Sequence, residues 1–256
     1  METGFEFIGF ENDGVVARIL LRRPPLNILH AAMIAELNRV LRDLRADAGL
    51  RAVVIAAEGK AFSAGVAVED HLPDKVRFMI EAFHDVFRHL RRLSCPTIAA
   101  VQGAALGGGC ELACFADVVI AAEPASFGLP EIKLGVFPPV AAVHFPSRIG
   151  AVRTAQLVLS GEPLPAARAL GIGLVDKVVR PDELDAAVRE QVARFREKSA
   201  TALRLAKRAL AAASDADFEL RLCDVEHVYL EELMKTPDAV EGIKSFLEKR
   251  APVWQA

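Results

Sequence analysis

The segment Val53-Val54-Ile55-Ala56-Ala57-Glu58 recurs later in the chain as Val118-Val119-Ile120-Ala121-Ala122-Glu123. Phe62 follows the first copy at the same offset at which Phe127 follows the second. Each copy is a short apolar run rich in β-branched residues, as is typical of a buried strand, and a loop follows it. Two similar strand-and-loop units that bury each other's faces predict a spiral or layered sheet more than a doubly wound one.

Strand-like and helix-like patterns alternate in the first half of the chain, which predicts an α/β fold. Apolar residues recur at helical spacing, three or four apart, in two of the intervening segments. The predicted strands are 15–21, 52–57, 97–101 and 118–122, and the two helical stripes lie within 33–44 and 76–90.

The chain after residue 179 has a different character, because its periodicity is helical throughout and no strand is evident. Pro181 and Pro237 each stand where a helix would start, a position that suits proline. The predicted helices are 182–195, 200–213, 218–234 and 237–249. We therefore divide the chain into a core region, 1–196, and a helical region, 197–256, that either covers the core or joins subunits.

Composition excludes several classes of protein. The 256 residues are 52% hydrophobic, but no run approaches the ~20 apolar residues that cross a bilayer. The net charge of −3 argues against an electrostatically driven nucleic-acid binder.

The first twelve residues do not resemble a signal peptide, so we expect a cytoplasmic protein. The four cysteines show neither zinc-type spacing nor a disulfide framework, and we predict no metal site.

Two glycine-containing loops could expose backbone N–H groups to a ligand. Gly107-Gly108-Gly109-Cys110-Glu111 follows the strand at 97–101 and opens a predicted helix over 111–115, and a second loop, 59–66, follows the strand at 52–57. One donor from each loop would form a two-donor oxyanion hole. The alternative for either loop alone is a tight strand-to-helix turn.

Two glutamates, Glu111 and Glu131, lie at predicted helix starts beside glycine loops. Singly, each could merely complement a helix dipole, but paired carboxylates in different environments can divide acid and base roles. The dinucleotide and nucleoside triphosphate loop motifs are absent from the sequence, so no such cofactor is predicted. Four histidines, including His84, have no partner at a catalytic spacing, and we assign them no role.

Several spaced motifs in the same order resemble the crotonase, or enoyl-CoA hydratase/isomerase, superfamily. They are the loop 59–65, the segment 99–111, the turn 127–132 and the ending 246–250. The similarity extends over nearly the whole chain. It implies a spiral of repeated β-β-α units, with a helical C-terminal region that builds a homotrimer or a dimer of trimers.

The resemblance also implies an acyl-coenzyme A thioester as the substrate, with no separate cofactor. By family position, the backbone N–H groups of Val66 and Gly108 hold the thioester oxygen. Further contacts to coenzyme A are implied at Leu26, Ala64, Phe246 and Lys249.

Glu111 and Glu131 fall on the two positions that hydratases of this superfamily use for acid-base chemistry. The resemblance implies that Glu111 activates a water for attack at the β-carbon and that Glu131 delivers a proton to the α-carbon. Retention of both acids favours hydration of a conjugated double bond. The alternatives are an enoyl-CoA isomerase and a non-enzymatic RNA-binding member, which the negative net charge disfavours.

One departure from the family pattern concerns the acyl pocket. Phe137-Pro138-Pro139-Val140-Ala141-Ala142 replaces the usual proline-glycine-x-glycine-glycine, and Pro139 has no N–H to help hold the catalytic water. This variant resembles the branch that hydrates cyclohexa-1,5-diene-1-carbonyl-CoA. We therefore count Pro139 among the predicted substrate-binding residues.

Overall fold

Two sheets, ten α-helices and several short 3₁₀ or π-helical turns make up the part of the chain that this computed structural model describes, residues 4–214 and 217–255. The strands are β1 Ile8–Asn12, β2 Val16–Leu21, β3 Ala52–Ala57, β4 Thr97–Val101, β5 Ala104–Leu106, β6 Val118–Ala122, β7 Ser126–Gly128, β8 Leu164–Pro165 and β9 Lys177–Val179. The helices are α1 Ala31–Leu44, α2 Val76–Arg91, α3 Gly108–Cys114, α4 Pro139–Ile149, α5 Ala151–Ser160, α6 Ala166–Gly171, α7 Leu184–Arg196, α8 Ala200–Ser214, α9 Phe218–His227 and α10 Pro237–Leu247.

The larger sheet has six strands in the order β1-β2-β3-β4-β6-β9, and all its pairs are parallel except β1 with β2. The smaller sheet has the order β5-β7-β8. Strand β4 continues into β5 and strand β6 into β7, so each repeat contributes one strand to each sheet before its helical segment. This arrangement confirms the predicted spiral of β-β-α units.

The recurring segment lies in β3 and β6, on either side of β4. Ser63 bridges to Ala105, and Ala105 pairs with Phe127, so the loops that follow the repeated strands stack in register. The four predicted strands are present within one residue of their expected bounds. Strand β1, β9 and the short strands of the smaller sheet were not predicted. All but β1 have only two or three residues, too few to show a period, and β1 lacks the continuous apolar run that marks β4 and β6.

The central strands are buried on both faces, since alternate side chains enter two different hydrophobic cores. Val53, Ile55, Ala99 and Val119 belong to the large core that also takes in α1 and α2. The opposite face packs against α7. That second core contains Ala52, Val54, Ala56, Ile98, Ala100, Ile120, Ala122, Leu184, Ala187 and Val188.

The C-terminal region is helical, as predicted, and its buried side chains join the large core. Phe218, Leu222, Tyr229 and Ile243 are each at most 1% exposed. A π-helical turn, Val228–Glu232, continues α9. The role of 197–256 in trimer assembly stays a prediction. Within the described residues, every helix is too short or too polar to cross a bilayer.

Gly103 lets the loop 59–66 lie against the strand connection between β4 and β5. A β-carbon at Gly103 would overlap the carbonyl group of Lys60, and neither backbone can move aside easily. We expect Gly103→Ala to lower the free energy of unfolding by about 1–3 kcal/mol or more, as overpacking typically does. Gly171→Ala is the matched control, because a β-carbon there meets nothing within 4 Å. Urea denaturation of both variants tests this, and equal stability would contradict it.

Candidate active site

The glycine run after β5 places a helix start beside a carboxylate. Gly107 has φ 54° and ψ −132°, and a β-carbon there would lie 2.8 Å from Oε1 of Glu131. Only glycine fits both the backbone and the space. Helix α3 begins at Gly108, three residues before its expected start, because Gly107 already supplies the turn. Glu111 therefore lies in the first turn of α3 and is 2% exposed.

The loop 59–66 is held so that the N–H of Val66 faces away from Leu29, the residue with which Val66 forms an isolated bridge. Leu29 forms a parallel bridge with Val66 through the two flanking residues: the Leu29 N–H donates to the Gly65 carbonyl at 2.9 Å, and the Ala67 N–H donates to the Leu29 carbonyl at 3.3 Å. The Gly65 N–H donates to Oγ of Ser63 at 3.1 Å. Val66 is thereby left with an amide that the bridge does not use.

Val66 and Gly108 are neighbours across the two loops. A β-carbon at Gly108 would lie 2.8 Å from Cγ2 of Val66 and 2.8 Å from Cζ of Phe83. Within the described residues, neither the Val66 N–H nor the Gly108 N–H donates a hydrogen bond. Two adjacent amides without acceptors could bind a single oxygen that acquires negative charge.

Glu111 is held by the start of helix α4. Its Oε1 accepts a hydrogen bond from the Ala141 N–H at 2.8 Å. Burial raises the pKa of Glu111 to about 7, although hydrogen bonds from the Ala141 and Val140 amides oppose this effect. Pro139 is the first residue of α4, a position whose N–H has no partner within the helix, so its absence removes no helical hydrogen bond. The amides of the next two residues, Val140 and Ala141, donate to the Glu111 carboxylate.

Glu131 stands in the first turn of a 3₁₀ helix, Pro130–Leu134, and its environment differs from that of Glu111. Its Oε2 is buried and has no hydrogen-bond partner in the part of the chain that is described. Burial, and then the charge of Glu111, raise the pKa of Glu131 well above its ordinary value. Near neutral pH, Glu131 is therefore the protonated member of the pair, while Glu111 can exchange its proton.

Both carboxyls face a cavity of about 490 Å³ with largely apolar walls. Seven of the residues predicted from the sequence line it together. They are Ala64, Val66, Gly108, Glu111, Glu131, Pro139 and Phe246. Two others do not line it. The Leu26 carbonyl accepts a hydrogen bond from the Ala64 N–H at 2.9 Å, with its side chain half exposed, and Lys249 is on the exposed surface after α10.

Sequence reasoning assigned no role to several polar residues in the cavity wall, among them Tyr229 and His84. Tyr229 is 1% exposed and packs edge-to-face with Phe137 at a ring separation of 5.2 Å. Burial, followed by the two carboxylates, raises the pKa of Tyr229, so the phenol keeps its proton. Nothing in the sequence pointed to Tyr229. His84 could have been noticed as a polar residue inside the apolar stripe of α2 that contains Ile80 and Phe83.

Comparison with known proteins gives matches over nearly the full chain. The family described as Enoyl-CoA hydratase/isomerase matches residues 11–256. A cyclohexa-1,5-dienecarbonyl-CoA hydratase from Thauera aromatica is 41% identical over 251 residues, which cover 97% of this chain and 96% of that protein.

Two solved structures also match. An enoyl-CoA hydratase from Mycobacterium avium subsp. paratuberculosis K-10 gives a TM-score of 0.88 at 30% identity, covering 98% of this chain and 100% of that one. An enoyl-CoA hydratase/isomerase from Xanthobacter autotrophicus Py2 gives a TM-score of 0.87 at 31% identity, covering 95% and 94%.

Proposed function

The chain belongs to the enoyl-CoA hydratase/isomerase, or crotonase, family of enzymes, and from that premise we propose that it hydrates the cyclic thioester cyclohexa-1,5-diene-1-carbonyl-CoA. Hydration of an unsaturated acyl-CoA is the activity common to its named relatives. The observation that carries the proposal is the pair of buried carboxyls, Glu111 and Glu131, which differ in hydrogen bonding and in pKa.

The thioester carbonyl oxygen accepts hydrogen bonds from the Val66 and Gly108 amides in this proposal. Attack on a conjugated thioester moves negative charge onto that oxygen, so donors placed there stabilise the enolate-like state more than the ground state. Both amides lack acceptors among the described residues and line the cavity beside the carboxyls.

The carboxyls divide the proton transfers. Glu111, as the carboxylate, takes a proton from water while the water oxygen bonds to the β-carbon, and the π electrons move toward the thioester oxygen. Glu131, as the acid, then gives its proton to the carbon skeleton, which restores the thioester carbonyl. The cycle leaves Glu111 protonated and Glu131 ionised, so a proton must pass between them before the next turnover.

Two observations support the cyclic substrate. The Thauera aromatica relative is named for it. In addition, Pro139 lines the cavity without an N–H, while the Ala141 amide is committed to Glu111. The wall at this point therefore presents a rigid apolar ring to the acyl group rather than a hydrogen-bond donor.

A direct assay tests the proposal. We expect kcat/KM for cyclohexa-1,5-diene-1-carbonyl-CoA to exceed that for crotonyl-CoA when loss of the conjugated thioester absorbance is followed. A strong preference for crotonyl-CoA would refute the cyclic substrate and leave hydration intact. Running the reaction in oxygen-18 water separates hydration from isomerisation, because an isomerase would give a product without the label.

The pH dependence follows from the two raised pKa values. We expect kcat/KM to rise with pH as the Glu111 side of the pair loses its proton, near pH 7, and to fall at higher pH as Glu131 loses its proton. A bell-shaped profile with its acidic limb near neutrality is the predicted result. An acidic limb near pH 4, the ordinary range of a glutamate, would contradict it.

A further inference from the structure

Tyr229 presents a hydroxyl group to the cavity that holds the two carboxyls. The residue lines that cavity and is 1% exposed. Its phenolic oxygen has no hydrogen-bond partner among the described residues, but it is not fully enclosed either. The small accessible part of Tyr229 therefore includes this oxygen. A buried tyrosine O–H group usually has a hydrogen-bond partner, so the geometry calls for one inside the cavity.

The backbone that carries Tyr229 is fixed from both sides. Tyr229 lies in the π-helical turn that continues α9, and turns of this kind often occur at functional sites. Before the turn, Oε1 of Glu226 lies 2.6 Å from Nδ1 of His84. Within the turn, Glu231 forms an ion pair with Arg77. Because His84 and Arg77 both belong to α2, one wall of the cavity holds the turn in place.

The phenol ring is aimed at the two carboxyls. It packs edge-to-face against Phe137, two residues before Pro139, at a ring separation of 5.2 Å. After burial, the charges of Glu131 and then Glu111 raise the pKa of Tyr229. The hydroxyl is therefore within electrostatic reach of both carboxylates, and it stays protonated and able to donate a hydrogen bond.

The proposed hydration needs a donor at this place. A water that attacks carbon uses one lone pair for the new bond and gives one proton to Glu111, and its second lone pair requires a donor if the water is to be held in one orientation. The start of α4 does not supply that donor. Pro139 has no N–H, and the amides of Val140 and Ala141 donate to Glu111.

The two histidines in the described cavity wall do not supply it either. Burial lowers the pKa of His71 and of His84, so each ring is neutral and carries one proton. That proton lies on Nδ1, which faces the Ala67 carbonyl at 3.1 Å in His71 and the Glu226 carboxylate at 2.6 Å in His84. The other nitrogen of each ring is an acceptor.

We propose that the O–H group of Tyr229 donates a hydrogen bond to the oxygen of the attacking water, and so replaces the N–H that Pro139 lacks. The inference rests on the proposed function, because it requires that water be added to an acyl-CoA in this cavity. Tyr229 keeps its own proton throughout. The water gives one proton to Glu111 while its oxygen bonds to the β-carbon, and Glu131 supplies the proton that the carbon skeleton receives.

Tyr229→Phe tests the proposal, because it keeps the ring against Phe137 and removes only the hydroxyl group. We expect kcat to fall by about 10- to 100-fold, since the water loses a hydrogen bond and its orientation. Affinity for cyclohexanecarbonyl-CoA, a saturated thioester that cannot be hydrated, should be unchanged. Tm should not fall, because the hydroxyl has no partner among the described residues. A near-normal kcat, or a loss of affinity equal to the loss of kcat, would overturn the proposal.

Ser245→Ala is the matched control. It removes another hydroxyl from the same wall, but one that already donates to the Gly242 carbonyl at 2.9 Å. Its kcat should stay close to the wild-type value. A loss as large as that of Tyr229→Phe would show that kcat responds to any hydroxyl removed from the wall, and would also overturn the proposal.

A crystal structure with bound cyclohexanecarbonyl-CoA tests the same contact without an activity assay. We expect a water within about 3 Å of both the Tyr229 hydroxyl and a Glu111 carboxylate oxygen, and no such water in Tyr229→Phe. A hydroxyl that contacts the acyl group or Glu131 directly, with no water between, would overturn the proposal. Hydration without the bridging water refutes this inference alone, a bridging water without hydration refutes the proposed reaction alone, and failure to bind any acyl-CoA refutes both.

Discussion

Glu131→Gln is expected to lower kcat by about 10²- to 10⁴-fold, the usual contribution of a general acid. Glutamine keeps the size of the side chain against Gly107 but cannot release a proton to the carbon skeleton. Burial and the neighbouring Glu111 raise the pKa of Glu131, so the wild-type side chain holds that proton at neutral pH. Initial rates with the preferred enoyl-CoA measure the effect, which should fall on kcat more than on KM.

Glu111→Gln should cause a loss of similar size for the opposite reason, since the amide cannot take a proton from water. Because the two carboxyls act as a unit, the double variant should lose much less than the product of the two single losses. Glu123→Gln is the control, because Glu123 is exposed in the turn after β6. Near-normal kcat in either active-site variant would refute the role proposed for that residue.

Stability distinguishes a catalytic loss from a folding defect in these variants. A glutamate whose pKa is raised in the folded state favours folding most at low pH, and it disfavours folding increasingly as pH rises toward and through the folded pKa. Removing that carboxyl should therefore raise Tm relative to the wild type at pH 8 more than at pH 5. A Tm below the wild-type value at pH 8 would show that the substitution damages the fold.

Gly108→Pro is expected to lower kcat/KM by about 10²- to 10³-fold relative to Gly108→Ala, because it removes one of two donors to the thioester oxygen. Gly108 is the first residue of α3, a position that accepts proline without losing an intrahelical hydrogen bond. The alanine variant carries the same β-carbon, which meets Val66 and Phe83 at 2.8 Å, but it keeps the N–H. Because the proline ring also places Cδ where the amide hydrogen lay, their difference combines the lost hydrogen bond with the bulk of that carbon beside the thioester oxygen.

Affinity for a saturated acyl-CoA gives the second readout for this pair. Loss of the donor should lower kcat/KM more than it weakens this binding, since the hydrogen bond matters most when the oxygen is negatively charged, whereas a clash with the proline ring would weaken both equally. Equal kcat/KM for the two variants would show that the Gly108 amide does not hold the reacting oxygen.

The sequence predicted the architecture because the relevant signals are local. The recurrence of 53–58 at 118–123 indicated two strands, which in the structure flank β4. Continuous apolar runs indicated strands that are buried on both faces. The identities of the two glutamates and the two glycine loops were also readable, since a tight backbone turn requires glycine at particular positions. Segments too short for periodicity, such as β5 and β8, were not recognised, and neither was β1, which lacks a continuous apolar run.

Tertiary structure alone decided the chemistry of those residues. The pKa of Glu111 depends on burial and on amides thirty residues away in α4, and that of Glu131 depends on burial beside Glu111. His84 is held by Glu226, which lies 142 residues further along the chain. Residue type and spacing specify which groups are present. Proton affinity and hydrogen-bond partners are set by groups that folding brings together, because desolvation and charge act through space rather than along the chain.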